Sequence, residues 1–191
     1  MRARRTCGFT LVEVLVAVLV LALGVIGGAA MQLAALRTRH QSALLSGAAL
    51  LASSLAERMR MNAEQMQQDD GANPYLGVDY EAAADAHPAA PAFTCFAPAL
   101  CSSAQLAGFD MAEIKQQLRA TLPAGRLVVC RDALAWDAAR HGLSWPCSGA
   151  PGAPIVIKLG WRARKPDDGA AQDGARTDPP GVVLTLTGAA R

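Results

Sequence analysis

Aromatic side chains make up only 5% of the 191 residues, and charged ones 18%. Few large rings mean few anchors for a hydrophobic core, so the globular part of this chain is expected to be small. Two globular domains would not fit, since one typically takes about 100 to 150 residues. The residue patterns of common catalytic sites are missing as well. No His-Glu-x-x-His helix, Gly-x-Ser-x-Gly elbow or Gly-x-x-x-x-Gly-Lys phosphate loop occurs, and His40, His87 and His141 stand far apart. Asp110 and Glu113 have the spacing of a paired acid and base, but a helix start explains both more simply. No Cys-x-x-Cys occurs, which leaves zinc-ribbon and thioredoxin-type chemistry without its ligands. The expectation is a non-enzyme with no cofactor and no metal.

Nor is there a basic surplus. The formal net charge is +2, and taking away the three positive charges of Arg2, Arg4 and Arg5 leaves −1. A chain of that balance has no electrostatic footprint for nucleic acid, which is not an expected partner. Arg37 and Arg39 lie just beyond an apolar run, where headgroup or neighbour-subunit contacts suit them better than a nucleic-acid groove.

What the chain has in quantity is apolar surface, 52% by residue type, and much of it is one run. From Gly8 to Leu36 the only charge is Glu13. A carboxylate costs about 2.5 to 3.5 kcal/mol at the centre of a membrane helix and less near its end, so Glu13 needs a reason to be there. Arg2, Arg4 and Arg5 place the short end of the run in the cytoplasm by the positive-inside bias, and the rest of the chain outside.

After this basic leader, Gly8-Phe9-Thr10-Leu11-Val12-Glu13-Val14-Leu15-Val16-Ala17 resembles the class III signal of type IV pilins and pseudopilins. The resemblance implies that a prepilin peptidase cuts after Gly8 on the cytoplasmic side. Phe9 then becomes the N-methylated mature terminus, and Glu13 is the acidic residue at the fifth mature position, with a role in assembly. Further on, Leu23-Gly24 to Gln32, Leu55-Ala56-Glu57-Arg58-Met59 and a Cys-containing tail are similar to the PilV type of minor pilin, the type IV pilus modification proteins. Such a subunit helps prime and assemble a type IV pilus, and so serves fibre biogenesis, adhesion or twitching motility. Its implied partners are other minor and major pilins, the prepilin peptidase, the inner-membrane pilus assembly platform and the membrane itself. Its implied location is the inner membrane, single-pass with a periplasmic C-terminal domain, and then the pilus.

Competing readings of the same stretch exist. An ordinary secretory signal would have an apolar core of roughly 7 to 15 residues and could be cut at Gly28-Ala29-Ala30, but this core is longer and carries Glu13. A plain signal anchor fits the length and leaves Gly8-Phe9-Thr10-Leu11 unexplained. For the whole protein, a pseudopilin of a type II secretion system carries the same leader, and a membrane-anchored periplasmic enzyme is the alternative of another class.

The expected organisation is a leader at 1–8, with Cys7 passive in it, then a long helix at 9–61. At about 1.5 Å per residue that helix would be roughly 80 Å long, well beyond the hydrocarbon thickness of about 30 Å, so only its first half can span. Gly24, Gly27 and Gly28 weaken it, or allow close helix approach. In its second half Leu44, Ala48, Leu51, Leu55 and Met59 form an apolar stripe, with Arg39, Ser42, Ser46, Ser53, Glu57 and Arg60 mostly elsewhere on the wheel. That stripe should dock on a globular domain.

Residues 62–98, rich in Ala and Pro, read as a connecting loop with Tyr75, Tyr80, Phe93 and Phe96 as possible anchors. Residues 99–191 read as a periplasmic globular α+β domain. It should hold a helix from Asp110 to Thr121, opened by Asp110 and Glu113 as a capping box, and strands at Leu127 to Cys130, Ile155 to Trp161 and Val182 to Thr187. In the second strand Ile155, Ile157, Leu159 and Trp161 alternate with Val156, Lys158, Gly160 and Arg162, which predicts one buried and one more polar face. The fold class is thus α+β and type IV pilin-like, a long N-terminal helix packed on a small antiparallel sheet. Lys165 to Gly174 is a loop whose Asp167, Asp168 and Asp173 lack the spacing of a calcium hand.

Cys95, Cys101, Cys130 and Cys147 remain after processing, an even number in an exported chain, and sequence allows three pairings. Short loops close cheaply and the helix after Cys101 separates the two groups, which favours Cys95 with Cys101 and Cys130 with Cys147.

Overall fold

The computed structural model describes residues 10–85, 95, 101–162 and 178–186. Helix α1 runs unbroken from Leu11 to Met61. Gly24, Gly27 and Gly28 do not interrupt it, and nothing lies within 4 Å of where a side chain would begin at any of them. The chain divides into two compact units, Met1–Ser42 and Ala43–Arg191. In the first, every described residue is exposed, and the hydrogen bonds of the helix are the structure.

The second unit has a core. The stripe expected on the helix is buried there, and Ala52 and Ala56 fill the gaps between its larger members. These side chains join Ile114, Leu118, Leu122, Leu127, Val129, Ile155, Ile157, Leu159 and Leu186 in one apolar cluster. The sheet partners are β1 (Val78–Glu81), β2 (Arg126–Arg131), β5 (Ile155–Gly160) and β6 (Val182–Leu186), in the order β1-β2-β5-β6. All three pairings are antiparallel, and Ile157 sits between Val129 on one side and Leu184 on the other. A two-stranded hairpin of β3 (Trp136–Asp137) and β4 (Gly142–Leu143) lies between β2 and β5 in sequence. The fold is α+β and pilin-like, a long N-terminal helix against a small antiparallel sheet.

Three local expectations are corrected. First, the second long helix, α3, spans Ser103–Thr121 and starts a full two turns before Asp110. Its cap is Ser102, whose Oγ accepts the Gln105 N–H at 3.2 Å while Gln105 Oε1 accepts the Ser102 N–H at 2.9 Å. Ser102 and Gln105 hold the same spacing as Asp110 and Glu113, and the helix takes the cap that lets Ala107 and Phe109 be buried too.

Second, the stretch read as a connecting loop begins with structure. A short helix α2 (Ala63–Met66) and strand β1 lie in its described part, 62–85, and β1 is an edge of the sheet. Val78 and Tyr80 alternate with Asp79 and Glu81, the period-2 signal of a half-buried strand, and Tyr80 is buried while Asp79 stays exposed.

Third, β5 has no polar face. All six of its residues are buried, Lys158 among them. One flank of that burial is the indole of Trp145, which comes so near Gly160 that an added Cβ would lie 2.6 Å from its ring. The ring itself is held, with its Nε1–H donated to Asp178 O at 2.9 Å and the Arg126 guanidinium 4.5 Å from its centroid. Gly160→Ala is therefore expected to destabilise the sheet unit by about 1 to 3 kcal/mol, the usual cost of overpacking. A thermal melt checks it, and an unchanged midpoint would show that the indole moves freely.

His87, Phe93, Phe96 and the loop from Lys165 to Gly174, with Asp167, Asp168 and Asp173, lie outside the described residues.

Candidate assembly site

Thr10 opens α1. Its Oγ1 accepts the Glu13 N–H at 3.3 Å and its carbonyl accepts the same N–H at 3.1 Å, the bonding of a helix cap. Glu13 is the acidic residue of that first turn, where the positive end of the helix dipole favours a carboxylate. The apolar side chains that follow, Leu11, Val12, Val14, Leu15 and on to Leu36, are all half or more exposed. This helix is long and apolar enough to cross a membrane, and no part of its most apolar stretch is buried. So large an uncovered apolar surface calls for lipid or for other apolar helices. Gly8 and Phe9 lie outside the described residues.

At its other end α1 is bolted to α3. Arg58 Nη1 donates to Asp110 Oδ1 at 2.9 Å and to Glu113 Oε2 at 2.6 Å. Tyr75, fully buried, donates its hydroxyl to Asp110 Oδ2 at 2.6 Å, and Asn62 Nδ2 reaches both the Tyr75 hydroxyl and Ser103 O. The Glu113 and Asp110 carboxylates hold the Arg58 guanidinium above its ordinary range, against the opposing effect of burial. Burial pushes the Tyr75 phenol well up, and its bond to Asp110 adds to that, so it stays a donor at any physiological pH. Asp110 and Glu113 thus act as a clamp for Arg58, and the acid and base reading of that pair gives way to a structural one.

The cysteines are bridged as Cys95 to Cys101 and Cys130 to Cys147, with Cα separations of 5.8 and 6.3 Å. Beside the second bridge lies a buried ion pair that periodicity alone did not reveal. Lys158 Nζ is 2.7 Å from Asp132 Oδ2, and both side chains are almost wholly out of water. The ammonium also donates to the carbonyls of Ser144 at 2.8 Å, Trp145 at 3.3 Å and Pro146 at 2.9 Å. Asp132 Oδ2 makes no hydrogen bond of good geometry, so its contact with the ammonium is an ion pair. Burial pushes the Asp132 carboxyl up, but Lys158 and the backbone N–H groups of Leu134 and Ser148 outweigh it and hold the carboxyl below the usual range.

Among the described residues, no group of three or more His, Cys, Asp or Glu could hold a metal ion. His40 is exposed on α1, and His141 is exposed beside β4.

Residues 3–29 match the family model of the prokaryotic N-terminal methylation motif. The chain carries a pilin-type leader. That match supports a pilin-like protein, with the role of a structural subunit in pilus or secretion assembly. It also suggests anchoring in a membrane and implies, in general terms, other pilins and the prepilin peptidase as partners. No curated protein and no solved structure matches the chain significantly.

Proposed function

We propose that this protein is a minor pilin of the PilV type, held in the inner membrane by the first half of α1 with the sheet unit in the periplasm, and extruded into a type IV pilus. The observation that carries the reading is the methylation motif at 3–29, which takes in the start of an apolar helix whose described residues up to Ser42 are all exposed. Such a helix is stable in lipid before assembly and against its neighbours' helices after it. In this reading the subunit primes the fibre with other minor and major pilins on the assembly platform, and adhesion and twitching follow from the fibre.

A deletion strain tests it. Loss of surface fibres with normal exoprotein secretion supports the pilus, and the reverse result would assign the subunit to a type II secretion system instead.

Processing offers a second check. The peptidase reading needs a small residue before the cut, so Gly8→Leu is expected to leave the leader attached and the subunit in the inner membrane. Mass spectrometry of the wild-type mature chain should find methylated Phe9 first. A mature terminus at Met31 would restore the secretory-signal reading.

A further inference from the structure

We propose that the Cys130 to Cys147 disulfide is an oxidation-gated latch on the buried charge of Lys158. The carbonyls that receive the ammonium belong to Ser144, Trp145 and Pro146, the three residues directly ahead of Cys147. The paired carboxylate belongs to Asp132, two residues beyond Cys130, and its Oδ1 accepts the Ser148 N–H at 3.2 Å. Each half of the cage is thus anchored at one end of the same disulfide. Further ties across these segments are Ser144 N–H to Ala135 O, Gly149 N–H to Arg131 O, Ala133 N–H to Ser148 Oγ, the Trp145 indole to Asp178 O and the Arg126 guanidinium over the Trp145 ring, none of which reaches the ammonium.

A buried ammonium without acceptors is far costlier than a lost neutral hydrogen bond. With the cysteines as thiols, only these non-covalent contacts hold the 144–147 segment over Lys158, and each opening of it leaves the ammonium with Asp132 but without its three carbonyls. Lys158 stands in β5, the interior strand that pairs with both β2 and β6, so its discomfort is that of the whole sheet. Closing the latch turns two thiols into one disulfide, and the two electrons and two protons pass to an acceptor disulfide of a dithiol oxidant, which becomes a dithiol. The sheet then settles after oxidation and not before. Cys95 and Cys101, only six residues apart, provide none of the contacts to Lys158 and serve as the internal contrast.

The test uses the full chain in detergent micelles, with Cys7→Ser, Cys95→Ser and Cys101→Ser in every sample so that Cys130 and Cys147 are the two cysteines left. The native core is compared with a neutral core, Lys158→Met with Asp132→Leu, whose freed carbonyls in the half-exposed 144–146 segment can turn to water. Amide hydrogen exchange of β5 is followed with and without dithiothreitol. Reduction is expected to speed exchange in the native core on the order of tenfold or more, and in the neutral core by less than about threefold, as for groups coupled within one network. Equal acceleration in both cores would overturn the proposal, because the bond would then be a general staple. So would no acceleration in the native core. Should the neutral core not fold, the native core alone decides: preferential loss of protection in β5 over α3 on reduction supports the latch, and uniform loss or none refutes it.

Discussion

The Glu13→Val subunit is expected to be cleaved and inserted like the wild type, yet to enter fibres or pilin complexes at about a hundredth of the wild-type level or less. Glu13 lies in the first turn of α1, near the end of the apolar run, so insertion does not depend on it. If the leader is cut after Gly8 as proposed, then when the apolar helices bundle the amino terminus of Phe9 brings a positive charge that also needs a partner out of water. Glu13 of the same or a neighbouring subunit is the acidic group at that depth. Leaving one member of such a pair alone typically costs about 3 to 5 kcal/mol, and each 1.4 kcal/mol is about a factor of ten in an equilibrium. The pair would then act chiefly on axial register. Crosslinking or co-purification with partner pilins reads out incorporation, and processing is followed in the same samples. Wild-type incorporation by the variant would sink the role, leaving Glu13 as a residue that suits the start of a helix.

Asp132→Ala is expected to be the most damaging single change in the sheet unit. It leaves the Lys158 ammonium buried with carbonyls but no countercharge, and removing one partner of a buried pair costs about 3 to 5 kcal/mol. Against a total domain stability on the order of 5 to 15 kcal/mol, that is enough to lower the melting point by ten degrees or more, roughly. The pH dependence has a definite sign. Because the folded state holds the Asp132 carboxyl below its ordinary value, its contribution is fully present above an unfolded value of about 3.9 and is lost as pH falls through the lower folded one. Melting points should therefore be nearly independent of this group from neutrality down to about pH 4 and drop below that. Asp132→Asn should flatten the acid limb at the cost of a lower plateau. An unaltered acid limb in that variant would show that other carboxylates, such as Asp70 beside Arg131, govern it.

Much of the architecture was legible because it is written in periodicity. The stripe from Leu44 to Met59 marked the face of α1 that is buried, and the apolar runs at 127, 155 and 182 became the three longest strands. Strand β1 hid in a polar, Pro-flanked neighbourhood, although Val78 and Tyr80 carried the alternation that could have found it. Lys158 was harder. Alternation places it opposite Ile157 and Leu159, on the face a single sheet would give to solvent, and that inference fails only because residues 144–146 close over it with their carbonyls. A cover made of backbone leaves almost no mark in side-chain identity, apart from the cysteine that pins it. Arg58 was visible as part of Leu55-Ala56-Glu57-Arg58-Met59, but its partners Asp110 and Glu113 sit far along the chain, and no local rule joins them.

The first core residue in chain order is Leu44, and every described residue before it is exposed, in a helix that is apolar as far as Leu36 apart from Glu13 and Gln32 and polar from Arg37 to Ser42. Two different measurements therefore report on substitutions in the two parts of this polypeptide. Substitutions upstream of Ser42 are expected to register in membrane anchoring or assembly without moving a melting curve. Substitutions at core positions from Leu44 onward are expected to move that curve, and to open the sheet unit to proteases, whatever they do to the exposed helix.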